Sequence, residues 1–331
     1  MTEDEAQSCR GGTHGPFTKP SKFVENRERN RMRRQLFFGL ISLVILPLLI
    51  ISLGCSTLET LGQDVKSAND TLKRRVMVLS FIDQAGIGPE KTEQITKDLR
   101  GFLGKSSRLL IYDPPKNESV PLDAESLELG VVTSPKLVKE AKNLGMVALI
   151  TGLINPVDIS IKDTGYWPFN KSRKSYEIST IVNVVDTFSG ALLLTRLESE
   201  EVFVPLEEDP DQSEKELINQ LWIEALPRIL KLQAAAVISV LTHEPWKGEI
   251  LAVDNEIIRI NAGEEVGLRH GQHLEVFATG ESISTEGGRS FEIQGDQIGE
   301  IVVDSVMERD SLAAVVEGGP FSVGQVIKLK P

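Results

Sequence analysis

From Leu36 to Leu53 the chain carries eighteen consecutive residues without a charge, and this run decides how the rest is divided. An apolar stretch of that length sits at the lower limit for crossing a bilayer and has no place on an ordinary soluble surface. Arg27, Arg29, Arg31, Arg33 and Arg34 precede it, the kind of positive flank that stays cytoplasmic. Begun at Met32, the chain reads as two arginines, an apolar core, a small residue and a cysteine, which is the layout of a cleavable signal. Residues 1–31 then read as a disordered extension or a mis-assigned start. Residues 32–54 form a signal or anchor helix, and residues 55–72 a polar tether.

The end of the run, Ser52-Leu53-Gly54-Cys55, resembles the lipobox of bacterial lipoproteins, although Ser52 stands where that family usually has Leu. The resemblance implies cleavage after Gly54, the signal-peptidase boundary, and lipidation of Cys55. Ser56 in the next position implies sorting to the outer membrane of a Gram-negative envelope, with the body on the periplasmic face. The residues leave a second reading open, an uncleaved single-span anchor in the inner membrane with an incidental Cys55.

Cys9 and Cys55 are the only cysteines, so the body beyond residue 55 can hold no disulfide, zinc thiolate or cysteine nucleophile. Charge narrows the partners. From Cys55 onward there are 28 basic and 43 acidic residues, a net of −15, and phosphate backbones would repel such a body. Nucleic acid is therefore not an expected partner. Aromatic residues make up 5% of the chain, too few to expect a stacking surface for single strands or sugars.

The body is patterned in two styles. "RRVMVLSFID" reads as a strand, "GIGPEKTEQITKDLRGFLGK" as a helix with Pro89 near its start, and "SRLLIYD" as a second strand. "SPKLVKEAKNLGM" reads as a helix capped by Ser134, and "VALITGLI" as a buried strand. An irregular, polar insertion over residues 159–175 holds Trp167 and Pro168. Two long alternating runs then flank Thr187-Phe188-Ser189-Gly190 as a β-hairpin, with Asp186 and Gly190 forming its turn. A long helix interrupted at Pro227 closes the unit. This order predicts an α+β chain whose first part, residues 73–243, is an α/β sandwich. After His243 short strands alternate with glycine turns and no helical stretch occurs, which predicts a small all-β barrel of SH3- or OB-like size over 244–331. Gly-Gln precedes a strand twice, at Gly271-Gln272 and Gly324-Gln325, a repeat of turn geometry.

Three patterns invite a chemical reading and then fail its requirements. "GIGPEKT" sits between a strand and a helix, as phosphate loops do. It has Glu90 where a glycine must precede Lys91-Thr92, and Pro89 deletes a donor. His270 and His273, with Glu275 nearby, lack a third ligand on a rigid element. "EEDPDQSEKE" lacks the glycine and closing glutamate of a calcium loop. No G-x-S-x-G elbow occurs. The expectation is a body without enzymatic activity, metal or cofactor.

"RVMVLSF", "LLIYD", "GMVALITGLI" and "VNVVDTFSGALLL" resemble the α/β domain shared by the TolB amino-terminal domain and the curli secretion lipoprotein family. In the last of these, Asp186 and Gly190 match that family's D-x-x-[ST]-G hairpin. "VGLRHGQHLEVF", "QIGEIVVDSVMERDSLAAVVEG" and "SVGQVIKL" are similar to the carboxy-terminal domain of the flagellar assembly protein T family. Together these resemblances imply a lipid-anchored envelope scaffold that forms or docks on a ring, the flagellar basal-body ring being the pattern. The flagellar relatives usually carry a further amino-terminal domain and no lipid. Curli relatives imply an alternative, a subunit of a secretion pore. The charges of residues 159–175 oppose it, because a spanning strand needs about 9–11 residues with a lipid-facing alternation. A single-span anchored protein with a cell-wall or ligand-binding role is the remaining alternative.

Overall fold

A computed structural model describes residues 72–114, 127–128, 131–132, 135–205, 214–284 and 290–330. Gly54, Cys55, the proposed tether up to Thr71, Ser134 and the acidic run 206–213 lie outside them. Contacts divide the chain into Met1–Gln63 and Asp64–Pro331, and every element below belongs to the second unit.

The first lobe is a mixed sheet with helices on both faces. Strands β1 (Arg74–Val78) and β6 (Ala148–Ile154) are buried at every position, as continuous aliphatic runs covered on two sides must be. Successive side chains of a strand part to opposite faces. Val76, Val78, Ala148 and Ile150 share a core with helices α1 (Pro89–Leu103) and α3 (Glu214–His243). Met77, Leu79 and Leu149 share another with α2 (Pro135–Asn143). Three layers result. Gly152 lets two elements approach closely, since a Cβ there would meet the Phe81 ring at 2.4 Å.

Strand β3 (Leu109–Tyr112) runs parallel to β1, and β1 parallel to β6. The short β2 (Ile82–Asp83) also pairs with β6, and β4 (Leu127–Glu128) pairs with β5 (Val131–Val132) apart from the main sheet. Strand β8 (Lys171–Asp186) organises the remainder. On one side it pairs antiparallel with β6 and then with β7 (Asp158–Thr164), and on the other with β9 (Leu192–Pro205). At about 3.4 Å per residue, this 16-residue strand is roughly 54 Å long. Residues 159–175 are therefore not irregular. They form a β7–β8 ribbon that carries the sheet outward, and mixed polarity suits a ribbon with two wet faces.

Helix α3 likewise differs from expectation, running unbroken through Pro227. Proline deprives the carbonyl four residues earlier of its partner. Here Ile223 is 72% exposed, so the freed carbonyl lies on the solvent side. Leu221, Trp222, Ile229 and Leu230 hold both halves against the sheet. This is the one described helix long and apolar enough to cross a membrane by length and composition, and its apolar face forms the core of this lobe.

The second lobe is a closed barrel of β10 (Lys247–Asp254), β11 (Ile257–Ile260), β16 (Ser311–Gly318), β15 (Gln297–Val306), β12 (His273–Phe277) and β17 (Val326–Leu329), in that spatial order. A 3₁₀ turn at Glu264–Val266 interrupts the expected run of strands and turns, and a small hairpin of β13 (Ser282–Ser284) and β14 (Ser290–Glu292) stands outside the barrel. Trp246, Ile250, Ile258, Leu274, Ile301 and Ile327 fill the interior. Leu72, expected as the last residue of the polar tether, is instead fully buried among them, because its apolar side chain fills the barrel core, and the Lys73 amide donates to Val266 O at 2.8 Å. The Gly-Gln repeat is one turn used twice: Gln272 Oε1 accepts from Arg269 N at 2.7 Å, and Gln325 Oε1 from Ser322 N at 2.9 Å. Each turn feeds one of two neighbouring strands, β12 and β17.

Candidate functional site

Among the described residues, a concavity lies where the two lobes meet. A hollow of about 370 Å³ opens between α2, the β8–β9 turn and β14, and a second of about 210 Å³ adjoins it, sharing Lys142, Asn143 and Glu249. Its floor begins at the β8–β9 turn. Asp186 Oδ1 accepts from Phe188 N at 2.8 Å, an aspartate bonding its own backbone two residues on, and Gly190 N donates to Asp186 O at 2.8 Å. Gly190 takes φ 71°, a conformation that other residues adopt at a cost. The second carboxylate oxygen of Asp186 accepts from Lys247 Nζ on the first barrel strand. Asp186 is 4% exposed, and it holds both its turn and the lobe junction. The motif spacing indicated the turn; it carried no trace of Lys247, 61 residues away.

A second clasp centres on Arg75. Its Nε donates to Glu265 Oε1 at 2.5 Å, Nη1 to Asn261 O at 2.5 Å, and Nη2 to Arg309 O at 2.8 Å. Tyr112 Oη donates to the other oxygen of Glu265 at 3.1 Å. Burial, then the neighbouring Glu265 carboxylate, pushes the Tyr112 hydroxyl pKa above its usual range. The three side chains of this clasp, Arg75, Glu265 and Tyr112, come from segments that alternation alone marks only as strand or turn.

Lys142 spans the mouth of the larger hollow, 3.3 Å from a Glu292 oxygen and 5.5 Å from the centre of the Phe188 ring. Glu249 is the acid with no described hydrogen-bond partner on its carboxylate, and burial pushes its pKa up against the opposing effect of Lys142. The nearby hydroxyls are engaged with backbone: Thr187 Oγ1 donates to Met146 O at 2.5 Å, and Ser189 Oγ accepts from Ala191 N at 3.2 Å. The hollow thus offers an amphipathic lining that includes two phenylalanines, two lysines and two glutamates, without an activated nucleophile beside a base.

The other sequence candidates stand apart from this cleft. In "GIGPEKT" the Asp83 carboxylate accepts from Ile87 N at 3.2 Å and Gly88 N at 2.9 Å, so the amides that would cradle a phosphate are already bonded. Lys91 reaches instead to Asn219 on α3, at 2.6 Å. His270 Nδ1 lies 2.7 Å from Asp304 O, and His273 pairs with Glu300, which also pairs with Lys330. Among the described residues no group of three or more His, Cys, Asp or Glu is placed to hold a metal ion.

No family model matches the chain, and no curated protein matches it. Solved structures do. The chain is similar to a hypothetical protein from Chlamydia trachomatis at 15% identity, covering 51% of this chain and 96% of that one, with a TM-score of 0.31. It is similar to a lipoprotein from Neisseria meningitidis at 10% identity, covering 52% and 99%, with a TM-score of 0.26. A minor lipoprotein from Acinetobacter baumannii shows 6% identity, coverage of 51% and 93%, and a TM-score of 0.25. Bacterial lipoproteins are thus among the structures it resembles, at low identity.

Proposed function

We propose that the chain is a non-enzymatic scaffold of the bacterial envelope, anchored through a lipid on Cys55 to the periplasmic face of the outer membrane, and that it works by joining or forming a ring-like assembly of the flagellar type. The observation that carries this reading is the open edge of the sheet. Strand β9 pairs with β8 alone among the described strands, so one side of a 14-residue strand keeps its donors and acceptors. Charges normally blunt such an edge. Here Glu198, Glu200 and Glu201 are paired within the chain to Arg196, Arg228 and Lys162, while Leu197 is 55% and Phe203 37% exposed. Strand addition to such an edge supplies main-chain hydrogen bonds to a partner. The cleft supports the same reading, because Arg75, Glu265, Asp186 and Lys247 bind one another across the lobes.

A photocrosslinking residue at Leu197 in living cells, followed by mass spectrometry, tests the proposal. Adducts of the chain with itself or with a defined envelope machine are expected, and the neighbours identify the machine. A body that stays monomeric at high concentration and gives no envelope adduct overturns the scaffold reading. Intact mass after detergent extraction tests the anchor separately: a 277-residue chain beginning at acylated Cys55 is expected. An unmodified chain retaining residues 32–54 would leave the single-span anchor.

A further inference from the structure

At the end of the β7–β8 ribbon, Tyr166 is 90%, Trp167 88% and Phe169 80% exposed. Three of the chain's eighteen aromatic residues thus stand bare within four positions. The turn is tightly built: Phe169 N donates to Tyr166 O at 2.6 Å and Thr164 Oγ1 to Lys171 O at 3.2 Å. Gly165 takes φ 110°, and a Cβ there would lie 2.9 Å from Phe169 O, so this position requires glycine.

Charge at this tip runs against the rest of the molecule. Residues 164–174 contain Lys171, Arg173 and Lys174 and no acid, in a chain of net −12. Lys174 is paired with Glu214, whereas Lys171 and Arg173 have no ion-pair partner among the described residues. Strand β9 ends at Pro205, opposite Arg173, and the acids of 207–211 that follow lie outside the described residues.

We propose that this tip is a membrane-contact element that seats Tyr166, Trp167 and Phe169 in the interface of an anionic phospholipid bilayer, with Lys171 and Arg173 at the headgroups. Trp and Tyr favour the bilayer interface because one end of each ring is apolar and the other wet. Cations beside them are drawn to anionic lipid, each worth about a fivefold change in affinity. A convex apex of three side chains is far too small for a stable protein–protein interface, which needs on the order of 1,000 Å². A bilayer makes no such demand, since the rings gain by depth. Lys162, Asp163 and Lys171 border the apex, so it enters the interface without spanning. The contact does not depend on the scaffold reading, because it uses no residue of the β9 edge.

Trp167 reports on its own position. The chain has three tryptophans, and Trp222 and Trp246 are each 2% exposed. The full chain, reconstituted in phosphatidylethanolamine vesicles with or without phosphatidylglycerol, is titrated with further vesicles of the same lipids. With phosphatidylglycerol present, emission should shift to the blue, acrylamide quenching should fall, and brominated acyl chains should quench the signal. Trp167→Phe should abolish all three changes without altering the folded far-ultraviolet spectrum. Lys171→Glu with Arg173→Glu should weaken the response to added vesicles by about 25-fold or more. A Trp167 that stays open to acrylamide and untouched by brominated lipid overturns the proposal, as does protection that appears only when an envelope protein is added.

Discussion

Replacing Arg75 by Met keeps the side chain's bulk and removes its charge and all three of its donated hydrogen bonds. Arg75 and Glu265 expose only 9% and 19% of their side chains, so the Glu265 carboxylate, left with Tyr112 Oη at 3.1 Å and Arg309 Nε at 3.8 Å, cannot recover its solvation by turning to water. Removing one partner of such a buried pair costs roughly 3–5 kcal/mol. At about 2–4 °C per kcal/mol for a chain of a few hundred residues, the midpoint should fall by roughly 6–20 °C. Because the clasp joins α/β sheet to barrel, the loss should also be visible as lost cooperativity. Trp222 sits in the sheet core and Trp246 in the barrel core. Urea unfolding of 5-fluorotryptophan-labelled protein, followed by fluorine NMR, reads the two lobes separately without further mutation. The wild-type resonances should change together, and those of Arg75→Met should separate. Adding Glu265→Met should restore about half of the loss, because it removes the under-paired charge and leaves the Asn261 and Arg309 carbonyls and the Tyr112 hydroxyl unsatisfied. A loss below about 1 kcal/mol, with coincident transitions, would refute the clasp as what couples the lobes.

Two further substitutions test other parts of the fold. Gly152→Ala should cost about 1–3 kcal/mol in urea unfolding, because its Cβ would enter the Phe81 ring from a central strand; an unchanged midpoint would show that the Phe81 ring yields. Burial raises the Glu249 pKa, so its charged form opposes folding once the pH passes the ordinary carboxyl range. Glu249→Gln should therefore raise the thermal midpoint at pH 7 to 8, and the gain should vanish below about pH 4, where the unfolded carboxyl is protonated as well. A gain that persists unchanged into acid would trace the effect to packing instead.

Sequence reasoning reached the elements whose information is local. The alternation of "VALITGLI", the proline ahead of "EKTEQITKDL" and the Asp186–Gly190 spacing each describe a few consecutive residues, and β6, α1 and the β8–β9 turn are likewise local. Gly-Gln before two strands was readable for the same reason: each glutamine bonds an amide three residues back. Helix α3 was misjudged at Pro227 because a proline's cost depends on whether the freed carbonyl meets water or core, and that is decided by the sheet beneath it. The ribbon was missed because lysines and serines on a two-faced hairpin show no one-sided alternation.

The candidate sites divide along the same line. The cleft depends on Arg75 meeting Glu265 across 190 positions and Arg309 across 234, and on Asp186 meeting Lys247 across 61. Periodicity tells which face of a strand is buried and carries no information about what buries it. Arginine at the start of a strand therefore looks like a solvated end, and Glu265 like an ordinary acid before a glycine. The hairpin tip was concealed by averaging. A chain with 5% aromatic residues argues against stacking surfaces as a whole, yet Tyr166, Trp167 and Phe169 concentrate that small share at one turn. Local density, with the sign of charge beside it, is the signal that whole-chain composition removes. Residues 164–174 reverse the charge of an acidic protein where Tyr166, Trp167 and Phe169 cluster, and that coincidence of aromatic density and charge is readable before any fold is known.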